Sequence, residues 1–250
     1  MSWSHIFFYY TTQITALVAT TEDANYPATN LLDGLDSTLY KGLSTATHYL
    51  TAQDLGVSNG FTADYLAFAG DNLAGATVAL QFSNDNFSSD VREAFTAFVR
   101  SGSDPVVKEY TSISGRYSRL KLTGLTANPF IADLRWGLKT DLDYADAGFD
   151  PHGRTFKGNI NVSETGYLTG VHKKFIERDI TIKFLDADDT LYQKLSAWWD
   201  AIMCAMFYVA WEKTDHASDI WFVRADPKFQ NPLKSGGAFR DITLPLKGRK

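Results

Sequence analysis

Two clusters of oxygen-bearing side chains carry most of the chemistry this chain advertises. The first lies in Tyr26-Pro-Ala-Thr-Asn-Leu-Leu-Asp-Gly-Leu-Asp-Ser-Thr-Leu-Tyr40, where Asp33, Asp36, Ser37 and Thr38 crowd around a proline and an Asp-Gly pair. Pro27 fixes φ, Gly34 admits a left-handed backbone, and the polar side chains can bond nearby backbone groups. The expectation is an ordered loop that wraps the end of a β-domain. The second cluster is Asp186, Asp188 and Asp189. It has the acids of a calcium loop without that loop's glycine and terminal glutamate, so it reads as a helix N-cap. His5, His48, His152, His172 and His216 are scattered without metal-ligand spacing, and no nucleophile elbow, P-loop or dinucleotide fingerprint occurs. Cys204 stands among Met and Trp residues and reads as a small core residue, not a nucleophile. No catalytic residue is expected.

The elements that would hold these residues are mainly strands. Tyr65–Ala69, Thr77–Phe82, Ala94–Arg100 and Tyr117–Leu122 are short apolar or alternating runs bounded by Gly and Asn/Asp clusters. Such spacing suggests a sandwich over residues 1–139. Residues 140–153 hold aspartates, glycines and a proline without periodicity and read as a linker. Beyond them Arg178–Phe184 alternates, and Leu191, Leu195, Trp198, Trp199, Ile202 and Met203 repeat at helical spacing, predicting a helix over 190–205. Met206–Trp211, Asp219–Arg224 and Arg240–Leu246 follow as strands, with Pro245 placing the last at an edge or bulge. The fold class is therefore mainly β: a jelly-roll sandwich, then a β-rich α+β domain over 154–250 with one main helix.

Composition narrows the function. The net charge is −5, and residues 1–90 hold one base, Lys41, against nine acids, which argues against a nucleic-acid surface there. With one cysteine no intrachain disulfide can form, as suits a reducing cytosol. The start lacks a positively charged region before its apolar patch, so no signal peptide is expected. The longest apolar run, Ala201–Trp211, is too short for a bilayer.

Several segments in a fixed order resemble discoidin-like (galactose-binding-like, factor 5/8 C-type) β-sandwiches. The Tyr26–Tyr40 segment is similar to that family's P-x-x-N-x-x-D-G-x-x-x-T-x-W loop, with Tyr40 in place of the tryptophan. Gln53-Asp-Leu-Gly56, Ala67-Phe-Ala-Gly-Asp-Asn-Leu73, Gln81-Phe-Ser-Asn-Asp85, Arg116-Tyr-Ser-Arg-Leu-Lys-Leu122 and Ile131-Ala-Asp-Leu-Arg-Trp-Gly137 continue the likeness, which spans roughly residues 20–139. It implies two candidate sites. One is a structural Ca²⁺ held by Asp33, Asp36, Thr38 and Asp133, the last shorter than the family's usual glutamate; the other reading of these residues is turns and caps. The second is a glycan platform of Tyr26, Tyr40, His48 and Tyr49, which are otherwise half-buried loop packers.

Residues 154–250 resemble the C-terminal region of bacteriophage tail and baseplate proteins: an R-x-I-x-I-x-F strand (Arg178–Phe184), a helix ending in Trp198-Trp199, an aromatic strand pair and a closing R-x-I-x-L-x-L strand (Arg240–Leu246). This implies a structural part of a tail tip or baseplate, assembled in the host bacterial cytoplasm, located in the virion, and partnered by other tail proteins and copies of itself. A cell-surface glycan would be a further partner, and neither nucleic acid nor membrane insertion is expected. Trp199 would then cover a flank or interface. Phe7 and Phe8, in the apolar start Ile6–Tyr10, need something to cover them, either as a strand or as an arm reaching a neighbour. The alternative is a free carbohydrate-binding protein whose second domain supports the first. An enzyme would require a cleft with perturbed acids, to which no spacing here points.

Overall fold

The structure, a computed structural model, describes residues 5–213 and 216–249. The first part holds β1 (Phe7–Tyr9), β2 (Leu17–Ala19), β3 (Tyr40–Lys41), β4 (His48–Ala52), β5 (Phe61–Ala69), β6 (Thr77–Ser83), β7 (Arg92–Glu93), β8 (Phe98–Val99), β9 (Val106–Gly115), β10 (Tyr117–Thr123), β11 (Phe130–Ile131), β12 (Asp133–Gly137) and β13 (Thr140–Asp141). The second part holds β14 (Arg154–Val162), β15 (Leu168–Ala187), α1 (Asp189–Ile202), β16 (Met206–Ala210), β17 (Ile220–Ala225), β18 (Leu233–Lys234) and β19 (Phe239–Arg249). The fold is mainly β with one main helix.

The sandwich is one sheet in the order β2-β4-β10-β6-β7, with β8 on β6, packed against a second in the order β12-β5-β9. The alternation of β10 sets its two faces. Ser118, Leu120 and Leu122 are buried, while Tyr117, Arg119 and Lys121 face outward. Leu50, Phe61, Leu80, Phe82, Leu120 and Trp136 meet in the core. The buried indole of Trp136 donates to Ser118 Oγ at 3.0 Å, so this core carries a satisfied polar pair.

The second unit is a single sheet, β13-β1-β16-β17-β19-β15-β14, with β18 on β19. The chain start settles here. β1 lies between β13 and β16, so Phe7–Tyr9 belongs to the C-terminal sheet, and the expected boundary at residue 139 does not separate the two units cleanly. Phe8 is fully buried against Trp198 and Phe207, which corrects its expected place on an interface. β19 is central, not the expected edge. Its Pro245 lies just past the last β17 pair, Ala225↔Leu246, where a missing N–H interrupts no ladder bond. The helix begins where expected: Asp188 Oδ1 accepts from Leu191 N at 2.8 Å. It ends at Ile202, short of the expected 205, because Met203 has φ +46°. Cys204 therefore lies after the helix and is exposed, not a core residue.

The layers stack in a fixed order. α1 covers one face of the second unit's sheet through Leu195 and Trp198, and the sandwich covers the other. At that junction Tyr65, Ala67 and Ala69 of β5 meet Tyr9 of β1 and Tyr208 and Ala210 of β16. The alanines let the two sheets approach closely. This explains the continuous burial of Tyr65–Ala69: β5 has core on both of its faces.

Candidate functional site

The early loop folds as its residues dictate. Asp33 Oδ1 accepts from Leu35 N at 2.8 Å, and its Oδ2 accepts from Thr38 Oγ1 at 2.7 Å. Gly34 takes φ +72°, and a Cβ there would sit 2.8 Å from Ala205 Cβ and 3.8 Å from Arg135 Nη2. A guanidinium thus reaches this loop. Asp133, expected as the loop's distant metal ligand, is 1% exposed and accepts from Arg135 at 2.9–3.2 Å and from the Tyr208 hydroxyl at 2.7 Å. Asp36 instead lines a cleft of about 550 Å³ that also borders on His152, Arg154 and Arg178. The four residues do not fit a cation: Arg135 neutralises Asp133, and Thr38 is occupied by Asp33. Among the described residues no three His, Cys, Asp or Glu side chains gather for a metal.

The expected glycan platform divides. Tyr40 is fully buried, donates to Thr21 O at 2.9 Å and hydrogen-bonds His48 Nε2. Burial raises the Tyr40 hydroxyl above its ordinary pKa and lowers that of the His48 imidazole. Both therefore work inside the sandwich, and neither meets a sugar at the surface. The tryptophan position of the resembled loop has become a phenol that needs a hydrogen-bond partner, which His48 and Thr21 supply. Tyr26 is 36% exposed beneath Lys41 Nζ, 4.1 Å from its ring centroid. Tyr49 stands half-buried on the outer face of the six-stranded sheet.

Around Tyr49 the structure assembles a group that sequence reasoning missed. The Arg119 guanidinium carbon lies 4.2 Å from the Tyr49 ring centroid and 3.9 Å from that of Phe87, so it is clamped between two rings. Its Nε donates to Gln81 Oε1 at 2.8 Å, and Gln81 Nε2 reaches Glu93 Oε1 at 3.5 Å. Register explains the geometry. Arg119 is opposite Gln81 on β6 and Thr51 on β4, with Tyr49 diagonal to it. Phe87 arrives from the turn after β6, where Asn86 and Phe87 take φ +57° and +61°. The Asp85 carboxylate stabilises that turn, accepting from Ser83 Oγ, Ser88 N, Ser89 N, Ser89 Oγ and Asp90 N at 2.6–3.1 Å. These bonds, Ser89's first, hold its pKa well below the usual carboxylate range. The Ser83-Asn-Asp-Asn86 cluster signalled a turn, but no spacing signalled that it delivers a ring to Arg119.

Arg119 is also distinct in its charge environment. The other arginines of the sandwich pair with acids: Arg92 with Asp90, Arg100 with Asp71, Arg116 with Asp54 and Arg135 with Asp133. Among the described residues Arg119 meets no carboxylate, and burial lowers its pKa.

On the second unit, β14 and β15 form a hairpin that outruns the sheet. β15 pairs with β19 only from Glu177 onward, whereas β14 and β15 pair from Arg154↔Arg178 out to Val162↔Leu168. The outer part is a two-stranded ribbon with both edges open. Ile160, Val162, Tyr167, Leu168 and Val171 on it are 57–75% exposed. Of the expected interface residues, Trp199 is half-buried and stacked on Phe229 at 5.5 Å. Phe7 is half-buried beneath Lys213 Nζ, 3.0 Å from its ring centroid. Among the described residues no helix is long and apolar enough to cross a membrane.

No protein-family model matches the chain, and no curated protein sequence matches it. Among solved structures, a chitosan-binding module from a chitosanase/glucanase of Paenibacillus sp. IK-5 is similar at 18% identity and TM-score 0.41, over 48% of this chain and 92% of that one. A family 32 carbohydrate-binding module of C. perfringens NanJ, in complex with galactose, is similar at 14% identity and TM-score 0.41, over 50% and 93%. A putative alpha-L-fucosidase of Bacteroides thetaiotaomicron is similar at 14% identity and TM-score 0.45, over 53% of this chain and 30% of that one.

Proposed function

We propose that the chain is a non-catalytic binding protein whose sandwich contacts carbohydrate. The observation that supports this best is the Tyr49–Arg119–Phe87 clamp on an open sheet face that also bears Thr51 and Lys121. Sugars present hydroxyl edges and weakly apolar ring faces. A surface of aromatic, hydroxyl and guanidinium groups meets both. A glycan screen of the full chain, followed by titration calorimetry on the hits, tests this. Millimolar-to-micromolar binding that weakens on Tyr49→Ala supports it, and an empty screen overturns it.

A second reading concerns the other unit: that it holds the sandwich in a larger assembly, of the kind found in a bacteriophage tail tip or baseplate. The ribbon favours it. A two-stranded hairpin is marginal alone in water, and five exposed apolar side chains on one with open edges call for a covering partner. A second copy of the chain is the occupant we propose. Light scattering with negative-stain imaging of the purified protein tests this. A closed ring or defined multimer supports it, and a monomer at high concentration counts against self-assembly.

A further inference from the structure

We infer that the Arg119 face takes an acidic carbohydrate, a glycan whose repeating sugars carry carboxylates, as uronic acids do. This deepens the carbohydrate reading above and rests on it.

Three observations converge on a carboxylate. First, Arg119 is the one arginine of the sandwich that, among the described residues, has no acid partner. Its Nε is committed to Gln81, which leaves the two terminal nitrogens to serve as the fork that matches a carboxylate. Second, the fork is fixed before any ligand arrives. Rings on both sides, the Gln81 amide and the turn braced by Asp85 hold it, so little side-chain freedom remains to be lost on binding. Third, Lys121 lies two residues along on the same face, opposite Tyr49 on β4 and Ala79 on β6, and brings a second cation to it. The nearest acid in the network, Glu93, is reached only through Gln81 and sets the orientation of that amide.

The surroundings favour a sugar over an acidic protein segment. The exposed apolar side chains of this face stand at its edges, Val18 on β2 opposite Thr51 and Val99 on β8 opposite Thr77, so its middle, on β4, β10 and β6, lacks the apolar centre that protein interfaces use. It offers Thr51, Tyr49 and Lys121, groups that bond hydroxyls and carboxylates, while Gln81 is buried and holds Arg119.

Titration calorimetry on the full chain decides the matter, with an oligogalacturonate as the probe and its fully methyl-esterified form as the neutral control. The acid form is expected to bind at least roughly tenfold tighter than the ester, and to weaken as NaCl rises from low to several hundred millimolar. Arg119→Lys keeps the charge and removes the fork. It is expected to weaken binding roughly tenfold while still unfolding in one cooperative transition, its melting temperature lowered by the lost bond to Gln81. If the ester binds as well as the acid, the acidic specificity is wrong and the carbohydrate reading survives. If neither binds and a broad glycan screen is also empty, both fail. If Arg119→Lys binds as the wild type does, the site lies elsewhere. Should that variant misfold, the acid-against-ester and salt comparisons on the unmodified protein still decide.

Discussion

Tyr208 of the second unit donates a 2.7 Å hydrogen bond to Asp133 of the sandwich, where the two sheets meet face to face. The phenol stays protonated because burial raises its pKa well above the ordinary value, so it remains a donor. Asp133 is also bound by Arg135, and all three groups are buried. A tie of this kind joins the units into one body and occupies the carboxylate that a cation would otherwise need.

Tyr208→Phe should therefore cost about 1–3 kcal/mol, the penalty for leaving part of a buried carboxylate unsatisfied. Asp133→Asn should cost more, about 3–5 kcal/mol, because it strands the Arg135 guanidinium. Urea denaturation of each variant against the parent measures both. Equal, negligible losses would mean the junction does not depend on this network.

Stability should fall on mild acidification through His48. Its imidazole is buried, which lowers its folded-state pKa below the ordinary 6.5. Between those two values the unfolded chain binds the extra proton and the folded one does not, so stability declines as pH drops below about 6.5. The loss stops growing only below the folded pKa. His48→Gln should flatten that part of the stability–pH curve in thermal melts. An unchanged slope would assign the decline to other groups.

Gly137 admits no side chain. A Cβ on it would lie 2.2 Å from the Thr11 carbonyl oxygen, which belongs to the segment leading from β1 into the sandwich. Gly137→Ala should force that backbone apart and cost about 1–3 kcal/mol. A melt matching the parent's would show that the Thr11 segment yields freely.

Asp85→Ala should release the turn that carries Phe87. Five donors lose their acceptor while two residues remain at positive φ. Hydrogen exchange at the amides of Ser88, Ser89 and Asp90 should accelerate, with the rest of the sandwich unchanged. Exchange at the parent rate would show that the turn holds itself without the carboxylate.

Ile160→Glu places a charge on the open ribbon, opposite Val171. If copies of the chain meet there, light scattering should report a smaller species, and melting should be unaffected because Ile160 is 59% exposed. A multimer of unchanged mass would move the contact elsewhere.

Much of the local structure was legible in the residues. Alternation over Tyr117–Leu122 and Arg178–Phe184 named strands and their buried faces, and the aspartates before Thr190 named the helix start. These signals are local because period and capping depend on neighbours a few residues apart. The hairpin escaped. Arg154–Val162 does alternate, with Phe156, Ile160 and Val162 on one face and Thr155, Lys157, Asn159 and Asn161 on the other, but Gly158 interrupts its apolar row, and β15 runs on both sides of the recognisable Arg178–Phe184 alternation.

The sequence by itself determined that the chain is mainly β, where its helix starts, and that it folds without a disulfide. Only the tertiary structure decided where the chain start goes, what covers β5 on its second face, and which candidate residues reach the surface. Tyr40 and Tyr49 are both tyrosines in sandwich strands, yet one is sealed against His48 and the other flanks Arg119. Residue type fixes what a group can bond. Whether it meets water, an acid or a ring depends on strand order and register, which bring Gln81, Phe87 and Arg119 together from distant parts of the chain.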